Sequence, residues 1–259
     1  MATIEVKDLY FGYKDEKVID GVSFEIEKGN LVSLIGPNGS GKSTMIKLLN
    51  NLYTPWEGKI FVEGKEINSF RKKELARKIA LVPQNSSINY DFTVEEIVRM
   101  GRYPHKKRFQ REDEEDHEIV EKAMKDTNTY ELRDKAVTEI SGGELQRVII
   151  AKALAQKPSI ILLDEPTSHL DLNHQIEILN LLRKLNKEKN TTIIVAIHDI
   201  NLATMYSDEI FMLSGGKIVD RGSPEKVITK RNIEFVYNLP VAVHRNKYTN
   251  SLSITPLNV

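Results

Sequence analysis

The chain has no cysteine and no net charge: its 37 lysines and arginines balance its 37 aspartates and glutamates. The first absence excludes a disulfide scaffold and thiolate metal sites, and it fits the cytosol. The second removes the net positive field that would hold a polyanion, so nucleic acid is a poor default partner. Long apolar runs are missing too. "IILL" and "TIIVAI" fall far short of the roughly 18 residues that a membrane span requires. The opening "MATIEVKDLYFGY" lacks the basic-then-apolar order of a signal peptide. If such a protein works at a membrane, it does so from the side. What is present suffices for a core: 259 residues, 40% hydrophobic and 29% charged, the size of one domain with a sub-domain.

The N-terminal text reads as strands. "TIEVKDL" and "GVSFEIE" alternate apolar and polar positions (Ile4, Val6; Val22, Phe24, Ile26), which predicts a half-exposed antiparallel sheet. "LVSLIG" is a continuous, nearly all-apolar run, as a strand buried on both faces of a parallel sheet must be. "GKIFVEGKEI" and "KIALVPQ" give further strands. From about Thr93 to Leu154 the text turns helical and strongly charged, including "REDEEDHEIVEKAMK", whose acids predict a solvated helix start favoured by the helix dipole. "SIILLDEP" and "TTIIVAIHD" return to buried strands. Between them lies the amphipathic "LNHQIEILNLLRKLNKE", with Ile176, Leu179, Leu182 and Leu185 on one face. "EIFMLSGGKIVDRG" is a hairpin. The tail from about Asn232 reads as short strands and turns with no assignable chemistry. The chain therefore divides into an α/β core with a β sub-domain (1–84 and 156–230), a helical insertion (85–155) and a tail (231–259).

Two stretches carry chemistry. Gly36-Pro37-Asn38-Gly39-Ser40-Gly41-Lys42-Ser43-Thr44 matches G-x-x-x-x-G-K-[ST] between a predicted strand and a predicted helix. Gly39 and Gly41 let backbone amides converge on α- and β-phosphates without a Cβ in the way. Lys42 places a point charge near the β- and γ-phosphates, the Ser43 hydroxyl suits Mg²⁺, and Thr44 backs the α-phosphate. The second stretch, Ile160 to Pro166, is an apolar strand ending in Asp164 and Glu165. Ligands of open α/β sheets bind at that end. Side-chain alternation gives the two acids different tasks: Asp164 to hold Mg²⁺, Glu165 to face the γ-phosphate and polarise a water. A third feature is a puzzle. Ser141, Gly142 and Gly143 open another helix, where bare amides should face a second anion.

With "ISGGE" ahead of "IILLDEP", the chain resembles the nucleotide-binding subunit of an ATP-binding cassette (ABC) transporter from its first strand to at least residue 230. The resemblance implies a P-loop NTPase fold: an α/β core with a mostly parallel sheet, an N-terminal antiparallel β sub-domain and an inserted helical sub-domain. It implies that Tyr13 stacks on adenine, and that Gln84 senses Mg²⁺ and the membrane partner at the junction with the helical part. Ser141, Gly142, Gly143 and Glu144 match the signature loop. Asp171 lies in the loop crossing between subunits, and His198 contacts the γ-phosphate. Two copies then pack head to tail, each ATP lying between one copy's cradle and the other's signature helix, which accounts for two anion sites in one chain. Glu165, His198 and Lys42 are the implied catalytic residues, and Mg²⁺ at Ser43, Gln84 and Asp164 the implied cofactor. The implied partners are a second copy, integral-membrane permease subunits and, indirectly, a substrate-binding protein, at the cytoplasmic face of the membrane. Two departures stand out: Ile140 for the usual leucine, and Glu144 for the usual glutamine.

"MGRYPHKKRFQ" (Met100 to Gln110) is by chemistry alone a basic, aromatic loop of the kind that lies solvated at a surface. It resembles text in importers of ferric siderophores, haem and cobalamin, with a permease helix docking around Gln84 to Pro104. His169 and His174 are spaced poorly for a shared metal, and neither is read as a ligand. The rival class is a soluble cassette ATPase acting on nucleic acid or the ribosome. Such proteins carry long coiled coils or tandem cassettes, whereas this chain has one cradle, no sustained heptads and no basic excess. A GTPase should show an Asn-Lys-x-Asp guanine reader, and "NKEK" at Asn186 lacks the final Asp.

Overall fold

The N-terminal alternation forms an antiparallel sheet in the computed structural model, which describes residues 2–84, 91–106, 113–168 and 170–257. Strand β1 (Ala2–Tyr13) pairs with β2 (Glu16–Glu27), setting Val6 against Phe24 and Ile4 against Ile26, so the apolar set shares one buried face. Strand β3 (Leu31–Ile35) is buried throughout and runs through the Gly-rich loop into helix α1 (Lys42–Leu49). Strands β4 (Glu57–Val62) and β5 (Lys65–Glu66) complete the first sheet in the order β2-β1-β4-β5. Helix α2 (Lys72–Ala76) and strand β6 (Ile79–Val82) precede α3 (Val94–Arg99), α4 (Glu114–Asp126) and α5 (Gly142–Ala155). Strand β7 (Ile160–Asp164), helix α6 (Leu172–Lys189), strand β8 (Thr192–Ala196) and helix α7 (Ile200–Tyr206) then alternate. The hairpin of β9 (Glu209–Ser214) and β10 (Lys217–Gly222) follows. Helices α8 (Pro224–Val227) and α9 (Lys230–Tyr237) and the hairpin of β11 (Val241–Arg245) and β12 (Leu252–Pro256) come last.

The second sheet has the order β10-β9-β3-β8-β7-β6 and is parallel except at its β9–β10 edge. Because side chains alternate along a strand, each central strand feeds two cores. Leu31, Ile35, Ile161, Leu163, Ile193 and Val195 pack with α5, α6 and α7 on one face. Val32, Leu34, Ile160, Leu162, Ile194 and Ala196 pack with β1, β2 and α1 on the other. A helix on one side and a sheet on the other explain why β3, β7 and β8 read as apolar runs, broken in β3 only by Ser33, whose hydroxyl accepts from Ser207 Oγ at 2.6 Å.

Three sequence expectations need correcting. Asn232 to Tyr237, read as strand and turn, lie in helix α9. Its β-branched and aromatic residues favour strand locally, but Thr229 caps the Asn232 amide and Ile233 and Val236, three apart, both reach the core. The described part of the basic stretch, Met100–His105, is a 3₁₀ helix rather than a solvated loop. Nor is the acidic start of α4 wholly solvated: Asp116 is buried and accepts from Arg102 Nε at 2.7 Å. Arg102 Nη1 also donates to the Ala155 carbonyl oxygen at 2.7 Å, tying α4 to the end of α5.

This pair tests the packing of the helical part. Arg102→Ala leaves a buried carboxylate without its counter-charge and should destabilise the chain by about 3–5 kcal/mol. The readout is the urea midpoint, and Arg102→Met with Asp116→Leu should recover part of the loss, since both charges then leave together.

Candidate functional site

The Gly-rich loop is shaped for amides to point inward. Gly36 has φ of 150°, and a Cβ there would lie 2.2 Å from the Leu213 carbonyl oxygen. Gly39 is left-handed at 77°, with open space around it, so conformation rather than room demands glycine. Helix α1 starts behind Gly41 with no side-chain cap and no acid in its first turn, whereas Asp113, Asp171 and Asp199 cap α4, α6 and α7. An uncapped helix start behind a glycine-rich turn leaves backbone amides available to an anion. The Ser40 hydroxyl is buried there with no hydrogen-bond partner, an orphan that a ligand oxygen would satisfy. Pro37 and Asn38 form the more open rim of the loop, and Thr44 is buried at the helix start. Lys42 folds back, donating to the carbonyl oxygens of Gly36 at 2.8 Å and Pro37 at 3.1 Å.

The register of the parallel sheet brings the other groups to this loop. Val82 pairs with Leu163 and Asp164 with Ala196, so Gln84, Glu165 and His198 follow at nearly level positions past the strand ends. Asp164 continues the Ile160–Leu162 face, the face that carries α1, and accepts from Ser43 Oγ at 2.7 Å. Glu165 takes the left-handed conformation (φ 50°), which re-aims its side chain. Gln84 Nε2 donates to Glu165 Oε2 at 2.5 Å, and His198 Nε2 lies 2.6 Å from Glu165 Oε1. One nearly buried carboxylate thus collects side chains from the two neighbouring strand ends.

Burial sets the electrostatics. It lowers the Lys42 pKa below its ordinary value, against the opposing pull of Glu165 and Asp164. It raises that of Asp164, where the Ser43 hydrogen bond acts against the shift and the Glu165 charge with it. A triphosphate would relieve Lys42 and a cation would relieve Asp164. Ser43 Oγ, Asp164 and the Gln84 amide are oxygen donors, a set that suits a hard ion such as Mg²⁺. Among the described residues no cluster of three or more His, Cys, Asp or Glu forms a separate metal site.

Tyr13 stands at the rim, 41% exposed, its hydroxyl 3.2 Å from Thr44 Oγ1. Its ring is edge-on to Phe11 and Tyr53, which stack on each other with centroids 5.2 Å apart. Tyr53 was not legible as part of this cluster, because nothing in the spacing from Phe11 signals it. The second anion site differs from expectation. Ser141 and Glu144 form a capping box: Ser141 Oγ accepts from the Glu144 amide, and Glu144 Oε2 takes both the Ser141 amide and hydroxyl at 2.8 Å. Only Gly142 and Gly143 are left outside the box. No hydrogen bond among the described residues joins this group to the Gly36–Thr44 loop. Instead it adjoins Asp171 through His174, whose ring lies against Gly143. His169 lies outside the described residues.

The family model for the ABC transporter matches residues 19–168, the stretch that holds the cradle, Gln84, Ser141 and Glu165. The chain belongs to the ABC transporter family. This cassette is 40% identical to the ferric enterobactin transport ATP-binding protein FepC of Escherichia coli, across 99% of this chain and 95% of that protein. It is 39% identical to the cobalamin import ATP-binding protein BtuD of Halobacterium salinarum over 98% of its own residues, but spans only 64% of that protein's length. Its fold matches the ATP-binding cassette MJ0796, a dimer in a post-hydrolysis state bound to ADP and Pi, with a TM-score of 0.73 and 32% identity over 85% of this chain and 98% of that one.

The raised Asp164 pKa has a testable sign. The folded cassette holds this proton more tightly than the unfolded chain, whose ordinary value is 3.8. The group's contribution to stability is therefore full below 3.8 and lost as pH rises through the raised folded value. Asp164→Asn keeps an acceptor for Ser43 and removes that loss, so the nucleotide-free variant should melt higher than the parent at pH 7. A calorimetric pH series checks it, with the two curves expected to converge in acid.

Proposed function

We propose that this chain is the ATP-hydrolysing subunit of a membrane importer, working as a head-to-tail pair and driving uptake of an iron(III)-siderophore or a related metal chelate. The observation that carries the reaction is the placement of Glu165: held by Gln84 and His198, beside the Ser43–Asp164 pair and Lys42. The names of FepC and BtuD support the cargo class, and the ADP-and-Pi dimer of MJ0796 supports the pairing.

In this reading the Gly36–Thr44 amides and the Ser40 hydroxyl cradle the phosphates, and Tyr13 stacks on adenine. Lys42 exchanges its two carbonyl contacts for β- and γ-phosphate oxygens. Ser43, Asp164 and Gln84 would hold Mg²⁺, which when bound offsets phosphate charge. His198 leaves Glu165 for the γ-phosphate, freeing a carboxylate oxygen to orient a water and take its proton as ATP becomes ADP and phosphate. Ser141 to Glu144 and Asp171 of a second copy close over the same nucleotide. Hydrolysis removes the phosphate that bridges the copies, and the pair reopens.

The permease would dock on the helical part, residues 85–155. Phe92, Met100 and Tyr103 line an open groove of about 630 Å³ with Glu96, Arg99 and Lys106. An apolar floor with a charged rim fits an amphipathic helix. Among the described residues no helix is long and apolar enough to cross a membrane, which suits a peripheral subunit held at the cytoplasmic face by that contact.

Lys42→Ala should cut turnover by about 100-fold or more, the scale of losing one anion-stabilising donor. Glu165→Gln should keep ATP affinity while stalling hydrolysis, so that it elutes as a dimer with MgATP and as a monomer without. Hydrolysis at the parent rate by Glu165→Gln would rule the residue out as base. Ser141→Arg should block turnover and spare ATP binding by the single chain; weakened monomer affinity would place the loop in its own subunit's pocket instead.

A further inference from the structure

We propose that His174 is a positioning residue that locks the Asp171 loop and the Ser141–Glu144 helix start into one rigid unit, so that a second copy engages both at once. The inference rests on the head-to-tail reading above and deepens it.

Asp171 Oδ1 receives two hydrogen bonds from the same residue, from the His174 amide at 2.9 Å and from His174 Nδ1 at 2.8 Å. The two bonds hold the Asp171 carboxyl below its ordinary range, so it is ionised and can only accept. Nδ1 therefore carries a proton, which fixes the ring's tautomer and direction. The opposite edge of the ring lies on Gly143. A Cβ at Gly143 would fall 2.5 Å from His174 Cδ2 and 2.9 Å from Cγ. Gly143 is helical, with no positive φ to demand glycine. Contact with the imidazole is the restriction visible there.

A helix cap alone would not need the imidazole, because the amide of any residue at 174 satisfies Asp171. The ring adds a second bond to the cap and a contact to a different helix. Its consequence is geometric. If the two loops moved independently, each would lose its own freedom on closure of the pair. Joined through His174, they are ordered once, before the second copy arrives.

The test uses the full chain carrying Glu165→Gln, with MgATP, and reads the dimer dissociation constant by analytical ultracentrifugation. His174→Ala keeps the backbone bond to Asp171, so melting temperature and single-chain ATP affinity should match the parent while the dimer weakens about tenfold. His174→Asn supplies an N–H donor in reach of Asp171 and should restore most of the dimer. Gly143→Ala should weaken the dimer more in the His174 chain than in the His174→Ala chain, a non-additivity expected of touching residues. A His174→Ala dimer within twofold of the parent overturns the inference. So does a His174→Asn chain as weak as His174→Ala, which also decides the matter if the alanine variant melts low. A Glu165→Gln parent that stays monomeric with MgATP overturns the head-to-tail reading and this inference with it.

Discussion

The in-register parallel pairing of β6, β7 and β8 is the constraint on which the site depends. These strands begin apart in sequence and finish level, and within two residues of their ends come Gln84, Glu165 and His198. A slip of one residue in β7 would exchange Asp164 for Glu165 at Ser43 and turn Ile161 and Leu163 toward the wrong core. The register is protected because both faces of the sheet are buried. The apolar pattern that holds the fold therefore also positions the chemistry.

Burying charge at that edge has a cost, and the cassette offsets it internally. Lys42 donates to its own loop, Asp164 accepts from Ser43, and Glu165 is held by an amide and an imidazole. In the reading proposed above, each of these contacts occupies a group that a triphosphate or a cation would take. In that reading ligand binding exchanges these contacts for new ones, and the unpartnered Ser40 hydroxyl is the group it newly satisfies.

The helical part is fastened differently. Arg102 and Asp116 tie α4 to the last turn of α5 through a buried ion pair, and the first turn of α5 is closed by its own capping box. Helix α5 is thus held at both ends, with Val148, Ile150 and Ala151 buried between them. Its start adjoins the start of α6 through His174 and Gly143, so these two helix starts are braced against each other rather than against the cradle.

By itself the sequence determined whatever depends on local pattern. The phosphate loop announced itself because few residue types allow its left-handed turns, and β3, β7 and β8 because burial on two faces demands largely apolar runs. Tyr13, Gln84 and His198 were nameable only through a family resemblance, since their spacing carries no signal. Tertiary structure alone decided the rest. Helix α9 overrode its strand-like text because Ile233 and Val236 found a core, and Asp116 left solvent because Arg102 met it from another segment; the Ser141–Glu144 capping box, by contrast, is a local S-x-x-E pattern that the sequence already carried. For α9 and Asp116 the deciding partners came from elsewhere in the chain, and only packing brings those together.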